Sequence, residues 1–209
     1  MSETNKLVLQ AGPPILQEAN FPRDFKERSP MFRELAKLLE QKNGFYAFES
    51  ALLVRPWGNS ECPLDLLNWN KKNGWISRYK LDLPGLFFFA EDVFGGQFAI
   101  AENEIVSFDP ETGEITHLGN NLEDWACLLM NDYDCLTGYS IAHSWQIQNG
   151  PLKKGMRLVP KKLFVLGGEF ELANLSEEEE VRAMKLRGDF ASKLADLSDG
   201  TQIEFRVIE

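Results

Sequence analysis

The sequence predicts an α+β fold: one domain with a central antiparallel sheet of about five or six strands, packed by four or five helices. Three observations carry this. The run Leu86–Asp109 holds three short apolar segments, Leu86–Ala90, Phe98–Ala101 and Ile105–Phe108, rich in the aromatic and β-branched residues that strands favour. Tight-turn residues separate and follow them: Gly95-Gly96, Glu102-Asn103-Glu104 and Asp109-Pro110-Glu111-Thr112-Gly113. Along the whole chain, helical periodicities and strand segments follow one another in mixed order, and that favours one α+β domain with an antiparallel sheet.

Taken in order, residues 1–28 read as an irregular arm, broken by Pro13-Pro14 and Pro22, with Leu7, Leu9, Ile15 and Leu16 as contacts. Residues 29–209 form the domain. Ser29-Pro30 opens a helix with Phe32, Leu35, Ala36, Leu38 and Leu39 on one face, and Asn43-Gly44 ends it. Phe45–Val54 reads as a second helix, closed before Pro56, and Leu64–Trp75 as a short one stopped at Asn73-Gly74. Trp57, Trp69 and Trp75 are expected to pack on the sheet rather than line a groove. After the meander, Ile115–Leu118 adds a strand. Asn121 caps a helix running to about Asn131, with Glu123 and Asp124 in its first turn, where the helix dipole favours acids. A further helix covers Thr137–Gln148, and Leu163–Phe170 reads as a strand broken at Gly167-Gly168. Ser176 and Glu179 have the spacing of a capping box for the longest helix. Ile203, Phe205 and Val207 alternate with polar residues, as in a half-buried strand.

Charge is distributed unevenly. The chain of 209 residues carries 32 acids and 22 bases. Between Leu86 and Cys135 stand eleven acids (Glu91, Asp92, Glu102, Glu104, Asp109, Glu111, Glu114, Glu123, Asp124, Asp132 and Asp134) and no lysine or arginine. This stretch carries −11 and the rest of the chain +1, which gives the net charge of −10. The balance argues against nucleic acid, which is held by cationic surfaces, and favours a basic protein partner. Surfaces balanced only for solubility interleave the two signs. Three cysteines, Cys62, Cys127 and Cys135, lack metal-ligand spacing and fit reduced thiols. The start MSETNKLVLQ lacks the basic and apolar regions of a secretory signal, and no apolar run reaches the ~20 residues of a membrane helix. A cytoplasmic protein is expected.

The sequence holds no phosphate loop, dinucleotide fingerprint, zinc-protease motif or nucleophile elbow. Its two histidines, His117 and His143, fall at no catalytic spacing; Cys135 and His143 are eight residues apart. Asn131-Asp132-Tyr133-Asp134 has the start of a calcium loop without its glycine or its distal glutamate. No cofactor, metal or catalytic residue is assigned. Two alternatives to capture of a basic partner stay open: a regulatory scaffold with another partner, and a hydrolase using carboxylates or Cys135 and His143.

Three segments carry a family resemblance: Gly44–Leu52 (GFYAFESAL), Phe89–Phe98 (FAEDVFGGQF) and Val106–Gly113 (VSFDPETG). Leu122–Trp125, Phe164–Gly168 and Asn174-Leu175 fit the same pattern. The chain resembles the SUKH superfamily, in the branch named for a fungal cell-wall-synthesis regulator, over roughly residues 29–207. The resemblance implies a single α+β domain. For many bacterial members it also implies an immunity protein that neutralises a toxin domain; other members are regulators. On that reading the partner-binding residues are Glu91, Asp92, Phe94, Glu102, Glu104, Glu111, Glu114, Asp132 and Asp134. The acids would steer a basic toxin domain and Phe94 would anchor it.

Overall fold

The computed structural model describes residues 1–80, 83, 85–195 and 197. The strand expected at Gln202–Val207 lies outside them. Helices α1 (Glu3–Gln10), α2 (Arg23–Glu27) and α3 (Pro30–Gln41) come first, then strands β1 (Phe45–Ala47) and β2 (Leu52–Val54). A short helix α4 (Leu66–Trp69) and a 3-10 turn at Trp75–Arg78 lead into β3 (Leu86–Asp92), β4 (Gln97–Ala101), β5 (Glu104–Phe108) and β6 (Ile115–Gly119). Helices α5 (Leu122–Asn131), α6 (Tyr133–Thr137) and α7 (Tyr139–Asn149) follow. The described chain closes with β7 (Met156–Pro160), 3-10 turns at Phe164–Leu166 and Leu172–Asn174, β8 (Leu175–Glu179) and α8 (Glu180–Leu194).

Strands β1 to β6 form one antiparallel meander in sequence order, and β7 pairs with β8 in a separate ribbon. The α+β class and the central sheet are as the sequence predicts. The described helices number eight rather than four or five, because several are single turns between packing elements.

Both faces of the sheet are covered, which is why LFFFA can be continuously apolar. Phe87, Phe89, Phe98, Ile100 and Ile105 pack under α1, α2, α3 and α5. Phe88, Ala99, Val106 and Phe108 pack on the opposite face against Trp69, Trp75, Tyr79, Met184 and Ala191. Trp57, Trp69 and Trp75 are buried packing residues, Trp57 on the first face and the other two on the second. The register of β3 against β4 slips between Phe88 and Ala90. This bulge sends both Phe89 and Ala90 to the first face and turns Glu91 onto the second, opposite Gln97.

Four local expectations are corrected. Residues 1–28 contain two helices, not an irregular arm. Leu7 and Phe25 are fully buried, and Glu123 accepts hydrogen bonds from the Glu3 and Thr4 amides at the start of α1. The segment between these helices covers the sheet edge: Gly12 N donates to Tyr46 O at 2.8 Å and Ile15 N to Gly44 O at 2.8 Å. Phe45–Val54 is a hairpin rather than a helix. Its turn holds Phe48, Glu49 and Ser50 at φ of 50°, 50° and 72°, and Gln146 Nε2 clamps it through Glu49 O at 2.8 Å. Leu163–Phe170 is a 3-10 turn and loop, with Gly167 left-handed at φ 79°. Ser176 lies inside β8; α8 starts four residues later, capped by the Glu179 carboxylate, which accepts from Val181 N and Arg182 N.

Candidate functional site: a groove at one end of the sheet

Two turns define one end of the meander. Residues 93–96 join β3 to β4, and residues 109–114 join β5 to β6. In the first, Asp92 Oδ1 accepts from Phe94 N and Gly96 N, both at 2.8 Å, while Gly95 is left-handed at φ 83°. A β-carbon at Gly95 would lie 2.5 Å from Nη2 of Arg187. In the second, Gly113 N donates to Asp109 O at 2.8 Å and Glu111 N to Asp109 Oδ1 at 2.7 Å. Tyr79 supports that turn from below, its hydroxyl donating to Pro110 O at 2.7 Å.

Between the turns, α6 and the loop after β7 lies a groove of about 570 Å³. Phe94, Phe164 and Phe170 form its aromatic wall. Phe164 and Phe170 stack at 3.8 Å between centroids, and Phe94 meets both edge-on. Phe170 is 59% exposed and Val165 is exposed beside it. Asp92, Asp109, Glu111 and Arg187 line the polar side. Glu111 is only 4% exposed; its Oε2 accepts from Val165 N at 2.9 Å, and its buried Oε1 has no partner. Burial raises the Glu111 carboxyl, against the hydrogen bond from Val165. Burial likewise pushes Asp92 up to about 7, and its two backbone donors offset only part of this.

Arg187 is 2% exposed and makes no ion pair within 4 Å among the described residues. It is turned to neutral acceptors: Nη1 donates to Phe94 O, Nε to Ala183 O at 3.3 Å, and Nη2 meets Met184 Sδ at 3.7 Å. The guanidinium therefore braces the β3–β4 turn from α8.

Behind the groove, on the second face of the sheet, lies a buried ionic junction. Glu91 is fully buried; it accepts from Arg157 Nε at 2.6 Å and forms an ion pair with Arg55 at 2.8 Å. Glu180 meets the other side of Arg55 at 3.2 Å. Gln97 Nε2 donates to Glu91 at 2.9 Å, Trp69 Nε1 donates to Gln97 Oε1 at 2.8 Å, and the Arg55 guanidinium lies 3.3 Å from the centre of the Trp69 ring. Burial would raise Glu91, but Arg157 and Arg55 together hold it at about 2. For Glu180 burial prevails over Arg55 and lifts it to about 7.

The nine residues predicted from sequence thus separate. Glu91 and Glu111 are not surface acids: the first neutralises two buried arginines and the second lines the groove with only 4% of its surface exposed, held by Val165 N. Asp92 and Phe94 line the groove. Asp132 and Asp134 are exposed beside it, just before Cys135, which lines it. Asp132 caps α6 through Cys135 N and Asp134 accepts from Ser140 N. Glu114 is exposed on the β5–β6 turn. Glu102 and Glu104 lie at the opposite end of the five-residue strands, about 15 Å away by strand rise, and Glu104 pairs with His117 at 2.7 Å. His143 pairs with Glu49 at 2.7 Å, apart from His117. Among the described residues no three His, Cys, Asp or Glu side chains are grouped to hold a metal ion, and no helix is long and apolar enough to cross a membrane.

Arg55, Arg157 and Arg187 are not singled out by sequence reasoning, and Glu180, whose place in the acidic run Glu177–Glu180 at a helix start suggests a solvated side chain, is only 2% exposed and paired with Arg55. A signal was present for Arg187 and Glu180. Both fall in phase with Met184 and Ala191 on the buried stripe of α8, where a charge calls for a buried partner or acceptor.

No protein-family model matches the sequence, and no curated protein matches it. Among solved structures, the chain is similar to the crystal structure of Atu4351 from Agrobacterium tumefaciens, with a TM-score of 0.58 and 14% identity over 87% of this chain and 86% of that one. At that identity the likeness concerns the fold.

Proposed function

We propose that this chain is a non-enzymatic binding protein that captures a basic protein partner at the groove end of its sheet. We further propose that the partner is a toxin domain which it neutralises in the cytoplasm, as the SUKH resemblance implies. The observation that carries the reading is the combination at one place of an aromatic groove, an exposed Phe170 and Val165, and the exposed acids Asp109, Glu114, Asp132 and Asp134 around it. Aromatic anchors supply affinity while rim acids steer a basic surface and set the association rate. Glu102 and Glu104, at the far end, have no part in this face.

The test is capture from native lysate at low and high salt, followed by expression of each captured basic protein alone and together with this chain. The reading expects a basic partner, released by salt, that arrests growth alone and not in the pair. A captured partner that is harmless alone supports the scaffold alternative. Loss of all salt-sensitive basic partners contradicts the acidic-face reading.

A further inference from the structure

We infer that the groove is a receptor for a single cationic side chain, an arginine or lysine of the basic partner, seated between the Phe94–Phe164–Phe170 wall and the Glu111–Asp109 side. This deepens the proposed function and rests on it.

Three observations converge. First, the groove's acids outnumber its bases, and Asp92, Asp109 and Glu111 make no ion pair within 4 Å among the described residues. The one base that lines it, Arg187, directs its nitrogens to two carbonyls and a thioether. Second, Glu111 is 4% exposed and keeps one carboxylate oxygen without a donor. A buried acceptor left unpaired is costly, and a charged donor entering the groove would supply the missing bond. Third, three phenyl rings line the same space. Ring faces attract a cation, more strongly where water is excluded, and the aliphatic stem of lysine or arginine packs on them. A carboxylate or phosphate would meet three acids and a guanidinium already engaged, so the complement favours a cation.

The probe is Nα-acetyl-arginine amide, titrated into the full-length protein while backbone amide signals are followed by NMR. Nα-acetyl-citrulline amide, nearly the same shape without the charge, is the control. The expected result is saturable shifts at Phe94, Gly96 and Val165 with a Kd on the order of millimolar, as for a ligand this small. Binding should weaken roughly tenfold in Glu111→Gln, which keeps an acceptor for Val165 N but loses the charge. The citrulline analogue should show no saturable shift. Phe170→Ala, at a largely exposed position, should weaken binding several-fold and covers the case in which Glu111→Gln is unfolded. No saturable shift, equal binding of citrulline, or unchanged affinity in both variants overturns the inference. If the probe fails while the whole basic partner still binds in a salt-dependent way, the groove inference falls and the proposed function stands. If both fail, both fall.

Discussion

Glu91 and Asp92 are adjacent acids in one strand, yet they belong to two different regions. Glu91 points into the junction behind the groove, where Arg157 and Arg55 keep it ionised, at about 2. Asp92 points into the turn at the groove, where burial prevails over two amide donors and lifts it to about 7. The difference follows from strand geometry: successive side chains face opposite ways, and the bulge at Phe88–Ala90 decides which way each of these two faces. A count of acids along the sequence treats them alike; the junction and the groove use them oppositely.

The largest expected effect comes from breaking the junction. Glu91→Gln leaves Arg157 without its carboxylate and Arg55 with Glu180 alone, and should cost about 3–5 kcal/mol by denaturant unfolding at pH 7. A loss under about 1 kcal/mol would mean that the buried pair is dispensable. Gly95→Ala acts on the groove side. It forces a β-carbon onto the Arg187 guanidinium at a left-handed position and should cost about 1–3 kcal/mol.

The pH dependence separates the two acids by sign. Asp92 is raised from 3.8 to about 7 and Glu180 from 4.5 to about 7, so the stability each contributes is complete below its unfolded value and is lost as pH rises toward 7. Glu91 is lowered, so its contribution is present above 4.5 and is lost as pH falls toward 2. The summed contribution of these three acids should therefore be largest near pH 4.5 and decline toward neutrality. Asp92→Asn should flatten that decline by at most about 1.4 kcal/mol per pH unit between pH 4 and 7, with no further change above. Identical pH profiles for the variant and the parent would refute the upward shift of the Asp92 carboxyl. Smallest of all, Glu114→Gln on the exposed turn should change stability by less than about 0.5 kcal/mol.

Much of the fold was legible. The meander was readable because its turn residues, Gly95-Gly96 and Asp109–Gly113, have local backbone requirements that few other residues meet. The α3 start and the Asn121 cap of α5 were readable for the same local reason. The β1–β2 hairpin was misread because its turn uses Phe48, Glu49 and Ser50 at positive φ, a backbone held by α7 rather than chosen by those residues. The Ser176–Glu179 capping box was misread because β7 claims Ser176 as a strand partner. For the candidate site, the density of acids marked residues at both ends of the sheet and could not tell Glu91 and Glu111 from Asp109 and Asp134. That distinction depends on the bulge in β3 and on a loop that arrives from Phe164–Phe170, more than fifty residues later.

The central claim is that the groove end, not acidity in general, is the binding face. Its most direct test is the association rate of the captured basic partner with three forms of the protein at low and high salt. These are the parent, an Asp109→Lys/Asp134→Lys variant at the groove and a Glu102→Lys/Glu104→Lys variant at the far end. The account predicts that the groove variant slows association at least tenfold at low salt and loses most of the salt dependence, while the far-end variant stays within about threefold of the parent. Equal slowing by both variants would show that only overall charge matters and would contradict the claim.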